Sequence, residues 1–238
     1  MTDKQGSGRH IVILGGAIMG SFSAWFLRQQ GFAGRITVVE KDATYAFSST
    51  ARSAASIRTQ FGTPSNIALS LFGVDFFRNV KAHFGPQADI GYRENGYLIL
   101  GGLDVVTDRM AGVSMQQAQG ADVVALTPEA VKTRFPYLNT DDIGIGSFGQ
   151  TGEGWFDAWS LLTLVRSGAR AQGVEYIEAE VAAILSAGDR ITGVRLVSGD
   201  ELRCDLCVMA AGAASGRLMA TLGVEQADRH GWRQVIRQ

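Results

Sequence analysis

The sequence has no long apolar run. Its amino terminus, Met1-Thr-Asp-Lys-Gln-Gly-Ser-Gly-Arg-His10, is polar, and the first apolar stretch, Ile11–Leu14, is four residues long. That is too short for a signal peptide or a membrane span. Cysteine is scarce. The two present, Cys204 and Cys207, fall in one short segment, which argues against a disulfide framework and for a reducing, cytoplasmic setting. Excess charge of one sign is missing too: the formal net charge is -1, and the basic stretches around Arg52, Arg58 and Arg229 to Arg237 are short and interrupted. No nucleic-acid footprint is expected from this. The three histidines, His10, His83 and His230, are scattered, so neither a metal cluster nor a Ser-His-Asp arrangement emerges. Repeats, low-complexity tracts and proline-rich linkers are absent, so a second lobe is expected as an insertion between strands.

What is present is ordinary globular composition, 46% apolar and 19% charged over 238 residues, enough for one large domain or two small ones. Thirty glycines sit singly between apolar runs and punctuate strands and turns. His10 to Leu14 is a β-branched run ending on Gly15-Gly16, as a buried parallel strand meeting a tight turn would. Ile18, Met19, Phe22, Trp25 and Phe26 then recur at three and four residues, one face of a helix that Gly31 stops. Ile36 to Val39 is a second buried strand, followed at once by Glu40. Further helices are expected over Pro64 to Phe84, about 105 to 119, a short one after the Thr127-Pro128 cap, and Ala158 to Gln172 after the Asp157 cap. A hairpin is expected over Ile90 to Leu100, turning at Glu94-Asn95-Gly96. A strand is expected at 143 to 149. Val174 to Ile177, Val181 to Leu185, Ile191 to Val197 and Leu202 to Met209 are expected as strands with turns at Gly188-Asp189 and Ser198-Gly199-Asp200, a meander followed by a strand that runs into Ala210-Ala211-Gly212.

Strand, glycine turn, helix, strand and acid form a βαβ unit suited to an ADP moiety. In the dinucleotide fingerprint the first glycine makes the turn, the second admits the diphosphate, and the third packs helix on strand. Gly15 and Gly20 take the first and third places, and Ala17, preceded by Gly16, takes the second. Glu40 lies where a carboxylate accepts hydrogen bonds from ribose hydroxyls and repels a 2′-phosphate, which disfavours NADP. The bland alternative is a turn that binds nothing. FAD and NAD both carry ADP, so the turn alone does not separate them.

The segments Ile11-Val-Ile-Leu-Gly-Gly-Ala-Ile-Met-Gly20, Val38-Val-Glu-Lys41, Ser49-Thr-Ala-Arg-Ser-Ala54 with Ile57-Arg58, Asn95-Gly-Tyr-Leu98, Gly152-Glu-Gly-Trp-Phe-Asp157 and Val208-Met-Ala-Ala-Gly212 occur in this order. Together they resemble the D-amino acid oxidase-type FAD-dependent oxidoreductases, the group that holds glycine oxidase, sarcosine oxidase and dimethylglycine dehydrogenase. The resemblance implies an α/β fold: a Rossmann-like FAD-binding domain with a β-meander and an inserted α+β substrate lobe, the carboxyl-terminal part missing. It implies FAD-binding segments at residues 1–84 and 151–225, a substrate-lobe part at 85–150, and the start of a further lobe strand at 226–238.

By the same resemblance, Gly15, Gly16, Ala17, Ile18, Met19 and Gly20 hold the diphosphate, with Glu40 and Lys41 at the ribose. Ser49, Thr50, Arg52 and Ser53 line the diphosphate and flavin. Arginine at position 52, where some relatives carry a flavin-bonding histidine, implies noncovalent FAD. The backbone of Val181 is expected at the adenine, and Ala210, Ala211 and Gly212 beside the diphosphate. Arg58 is a candidate for a substrate carboxylate, against the plainer reading of a surface arginine. The implied reaction is oxidation of the CH–NH bond of a secondary amine or amino acid, with oxygen or an electron-transfer protein as acceptor. A noncatalytic flavoprotein or assembly factor is an alternative, as is an NAD-dependent dehydrogenase, which the lack of further βα repeats after Glu40 opposes. Cys204-Asp-Leu-Cys207 spells CxxC, but thiols three apart on a strand diverge and no second pair completes a zinc site. Trp155, Phe156 and Trp159 are expected as core and lobe contacts.

Overall fold

Strands that are apolar at nearly every position need cover on both faces, and His10–Leu14 and Arg35–Glu40 find it at the centre of a four-stranded sheet. Residues 8–224 are described by a computed structural model. The chain divides into two compact units, one formed by the chain up to Arg52 together with the chain from Leu161 onward, the other by Ser53–Ser160. The expected segment at 226–238 lies outside the described residues.

In the first unit the sheet order is Leu206–Met209, His10–Leu14, Arg35–Glu40, Glu175–Glu178, all parallel, with Ile13 opposite both Val208 and Val38. The helix Ile18–Gln29 makes the crossover between the two central strands and packs on them. On one face, Val12, Leu14 and Val39 form a core with Val181, Ile184, Val194 and Leu196 of an antiparallel three-stranded meander, and with Leu218 of the helix Ser215–Ala220. The meander runs Val181–Ala187, Arg190–Leu196, Glu201–Arg203, with Gly188 and Gly199 at its turns as the sequence suggests.

Two expectations change in this unit. The single strand at Leu202 to Met209 is two strands in different sheets. Asp205 causes the break: its carboxylate accepts from the His10 amide at 2.7 Å and its amide donates to the His10 carbonyl at 2.9 Å, which hands the chain from the meander to the parallel sheet. The strand expected at 174 to 177 is Glu175–Glu178, and it is the outer parallel strand rather than part of the meander.

In the second unit an antiparallel sheet orders Tyr97–Gly101, Ile145–Gly149, Val123–Leu126. Its helices include Pro64–Arg78, Val106–Ala118 and Pro128–Arg134, and Ile67, Val113, Ala121 and Val123 form a buried cluster. Thr127 caps the last of these helices, its hydroxyl accepting from the Ala130 amide at 3.2 Å. Asp157 caps Ala158–Ala171 through the amides of Trp159 and Ser160.

The long helix expected from Pro64 to Phe84 stops at Arg78 and resumes as Val80–Phe84. Asn79 turns its amide back onto Asp75, donating to the backbone carbonyl at 2.9 Å and to the carboxylate at 3.0 Å, and the ladder breaks there. The hairpin at 90 to 100 does not form. Glu94 is instead claimed by Arg78 and by the Gly152 amide, Arg93 bridges Trp155, and Tyr97–Gly101 pairs with Ile145–Gly149. Tertiary partners win over a good local turn. The strand Val123–Leu126 has no counterpart in the sequence reading, being a four-residue run between a helix and a cap. Trp155 and Trp159, expected as core and lobe contacts, are 48% and 47% exposed and so do not belong to the core.

Ile67 is fully buried at the centre of the second unit's cluster. Ile67→Ala is expected to lower unfolding free energy by about 2–5 kcal/mol, measured as a shifted urea midpoint with unchanged slope.

Candidate functional site: the first glycine turn

Gly15 follows the central strand with φ of +97°, and its amide donates to the Val39 carbonyl at 2.8 Å. A Cβ there would run into the Ala210 carbonyl, so the turn needs glycine against the returning strand. At Gly16 a Cβ would stand 2.9 Å from the Tyr45 hydroxyl and 3.1 Å from the Glu40 Cβ. At Gly20 it would strike the Gly15 carbonyl, and the Ile13 side chain lies 3.2 Å from the same point. The three glycines are thus closed in by the small-residue strand end, the acidic residue and the helix-on-strand contact respectively.

Ala17 begins the helix from an extended conformation and supplies no side-chain cap. The first-turn amides therefore keep the partial positive charge of a helix start. One is met from a distant loop: Ile18 donates to the Thr50 hydroxyl at 3.3 Å. Glu40 spreads its carboxylate over two amides, accepting from Gly16 at 2.8 Å and from Asp42 at 3.0 Å. Each oxygen retains a further lone pair. An uncapped helix start for a diphosphate beside a half-buried, pre-oriented carboxylate for ribose hydroxyls fits the ADP part of a dinucleotide.

The surrounding loop is held by short-range bonds. Asp42 accepts from the hydroxyl and amide of Thr44, and these bonds hold its carboxyl below the usual carboxylate range. Ser48 accepts from the Ala51 amide at 3.1 Å, and the Arg52 guanidinium lies 4.8 Å over the Phe47 ring. Met19, Lys41 and Ser49 are exposed. On the returning strand Ala210 donates to the Leu14 carbonyl at 2.9 Å, Ala211 packs on the core, and Gly212, with φ of +55°, opens a short turn. The Val181 side chain is buried in that core, which leaves only its backbone for a ligand.

Contacts therefore join Gly15, Gly16, Ala17, Ile18, Gly20, Glu40, Thr50 and Ala210, with Ala211 and Val181 in the adjoining core. Ser53 and Arg58 belong to the other unit. There Ser53 accepts from the Ala55 amide at 3.0 Å, and the exposed Arg58 guanidinium lies 5.2 Å from the Phe61 ring centre and 5.6 Å from that of Tyr97.

Two residues emerge only from the structure. Tyr45 is 2% exposed, has φ of +56°, and sets its hydroxyl against Gly16. Burial pushes its hydroxyl up to about 12 in spite of the Arg166 guanidinium 4.6 Å from its ring centre. Glu153, in the second unit, is fully buried and accepts from the Thr59 amide and hydroxyl, both at 2.6 Å, and from the Gln60 side chain at 2.8 Å. Its carboxylate pins the backbone next to Arg58. The Gly152-to-Asp157 segment marks the place in sequence, but nothing local signals that its glutamate is buried. Cys204 and Cys207 are free thiols, and burial raises both, Cys207 to about 12.

A parallel sheet whose central strand ends in this glycine turn, with an acid closing the next strand and small residues on the return strand, defines a dinucleotide-binding α/β fold. Comparison with known proteins carries this further. Residues 10–236 match the family model described as FAD dependent oxidoreductase. The FAD-dependent oxidoreductase domain-containing protein 1 of Bos taurus is 35% identical, over 90% of this chain and 49% of its own length. Among solved structures, L-proline dehydrogenase from P. horikoshii superposes with a TM-score of 0.77 at 23% identity, over 94% of this chain and 62% of that one. Glycine oxidase from Bacillus cereus gives 0.69 at 24%, over 89% and 57%. The chain belongs to the FAD dependent oxidoreductase family, and its cofactor is FAD. It spans about half the length of the curated relatives it matches. Among the described residues no helix is long and apolar enough to cross a membrane.

Tyr45 and Tyr92 are both held near 12, chiefly by burial, whereas an unfolded tyrosine titrates near 10. The unfolded chain then loses protons first, so stability is complete below about pH 10 and falls as pH rises toward about 12. Denaturant titrations across this window are expected to show that fall, and Tyr45→Phe is expected to make it shallower.

Proposed function

We propose that this chain is the cofactor-holding part of an oxidoreductase that oxidises the CH–NH bond of a secondary amine or amino acid. The observation that carries the reading is the glycine turn with Glu40 bonded across it, in a chain of this family. FAD, when bound, supplies the acceptor of a hydride equivalent from the carbon beside the amine. The chain's own residues bind and orient. The first-turn amides and Thr50 face the diphosphate, Glu40 takes the ribose hydroxyls, and the strand end at Ala210 to Gly212 permits close approach. Ser49 and Arg52 line the same loop, and Arg52 favours noncovalent FAD because a guanidinium forms no flavin bond.

The unit that holds the turn is the FAD-binding domain in this reading, and Ser53–Ser160 contributes to the substrate lobe. In that lobe Arg58, supported on Phe61 and Tyr97 and flanked by the Glu153-pinned Thr59, is positioned to take a substrate carboxylate. Similar folds in a proline dehydrogenase and a glycine oxidase support an amino acid or a related amine as substrate. Two free thiols are compatible with a cytoplasmic setting.

The test is spectroscopic. The purified protein is expected to retain FAD and to lose its visible flavin absorbance when mixed anaerobically with an amine or amino acid from a panel including proline, glycine and sarcosine. Readmitted oxygen restores the bands if oxygen is the acceptor. Bound flavin that no amine bleaches would instead identify a noncatalytic flavoprotein. Glu40→Ala is expected to weaken FAD binding about tenfold or more, as charged hydrogen bonds to the ribose are lost, and unchanged FAD retention would refute its role.

A further inference from the structure

The glycine turn is braced from behind by a group that the cofactor reading leaves unused. Arg166 and Arg170 lie one helical turn apart on Ala158–Ala171, beside the buried stripe of Leu162, Val165 and Ala169. The Arg166 guanidinium carbon sits 4.6 Å from the Tyr45 ring centre and 5.7 Å from that of Tyr176, and Arg170 lies 5.0 Å from Tyr176. None of the ion pairs among the described residues includes Arg166, and its buried Nε has no hydrogen-bond partner. The cation is held by aromatic faces rather than by a carboxylate, an arrangement strongest where water is excluded.

Both aromatic arms end on the same residue. Tyr45 sets its hydroxyl 2.9 Å from where a Gly16 Cβ would stand, and the loop carrying it is tied by the Tyr45 backbone, whose amide donates to the Asp42 carbonyl at 3.0 Å and whose carbonyl accepts from the Ser48 amide at 2.9 Å. Tyr176, opposite Val38 on the outer parallel strand, donates to the Ser21 hydroxyl at 3.1 Å, and Ser21 donates to the Gly16 carbonyl at 2.6 Å. Gly16 is also the residue whose amide is bonded to Glu40. Gly16 is therefore held at its amide by Glu40 and at its carbonyl by Ser21, with the Tyr45 hydroxyl filling the space a Cβ would take, and one guanidinium contacts the rings on two of these three routes.

We propose that Arg166 is a positioning residue of the nucleotide site: lying over Tyr45 and Tyr176, it holds Gly16 and Glu40 in the geometry that receives the ADP part of FAD. This rests on the FAD reading above. Both arms reach the turn through Gly16, so removing the cation loosens the site before it loosens the fold. Lysine keeps a cation over the rings, whereas methionine keeps the stem and loses it.

The experiment measures FAD dissociation constants by fluorescence titration of wild-type protein, Arg166→Lys and Arg166→Met, with melting of each FAD-free form in parallel. Arg166→Met is expected to bind FAD about tenfold more weakly while its FAD-free melting temperature stays within about 3 °C of wild type, and Arg166→Lys to stay within about threefold. Wild-type affinity in Arg166→Met, or equal weakening in both variants, overturns the proposal. So does a loss of FAD affinity that only accompanies lost stability of the FAD-free form. If Arg166→Met does not fold, Tyr176→Phe carries the test, because it deletes only the hydroxyl that reaches Ser21; about threefold weaker FAD binding supports the brace, and unchanged binding refutes it. Wild-type protein that binds no FAD would sink the cofactor reading and this inference together, whereas wild-type binding with unaltered variants sinks the inference alone.

Discussion

The bond from the Gly16 amide to the Glu40 carboxylate is the constraint on which the site depends. It joins the end of one central strand to the end of the next, at a place where the chain must leave the sheet, turn and start a helix. A carboxylate left half-buried without donors would be costly. Here two backbone amides satisfy it and fix its direction. The crowding around Gly16 follows from this bond, since the acid, the Tyr45 hydroxyl and Val38 all approach the space a side chain would take.

The second unit solves a related problem differently. Glu153 is fully buried, yet three donors from Thr59 and Gln60 surround it, and no cation pairs with it among the described residues. A carboxyl group satisfied by hydrogen bonds alone acts as a fixed clasp, because losing any donor would leave a buried acceptor short of a partner. It holds Thr59 and Gln60 in place, and Gln60 passes the constraint on to the Tyr97 carbonyl at 2.9 Å. Each unit thus carries a well-satisfied acid, half-buried Glu40 in the first and fully buried Glu153 in the second, where the chemistry of a binding site is expected.

The opening βαβ unit was legible in the sequence because period, turn and acid all sit within forty residues and agree with one another. The meander turns at Gly188 and Gly199 were legible for the same local reason. Where distant groups decide, the sequence misleads. Glu94-Asn95-Gly96 has good hairpin chemistry, but Arg78 and Gly152 take its acid and the strand pairs elsewhere. Asn79 breaks a helix that the apolar spacing would continue, and Asp205 splits an apparently continuous strand. Tyr45 and Arg166 lie far apart in sequence and meet only in the fold, so no window of residues announces their contact.

The central claim is that this turn recognises the ADP part of FAD through Glu40 and the first-turn amides. Competition between FAD and free ADP tests it most directly. The account predicts that ADP displaces FAD from the protein and that Glu40→Ala weakens both ligands by a similar factor. FAD binding that ADP does not displace, or that Glu40→Ala leaves unchanged, would contradict it.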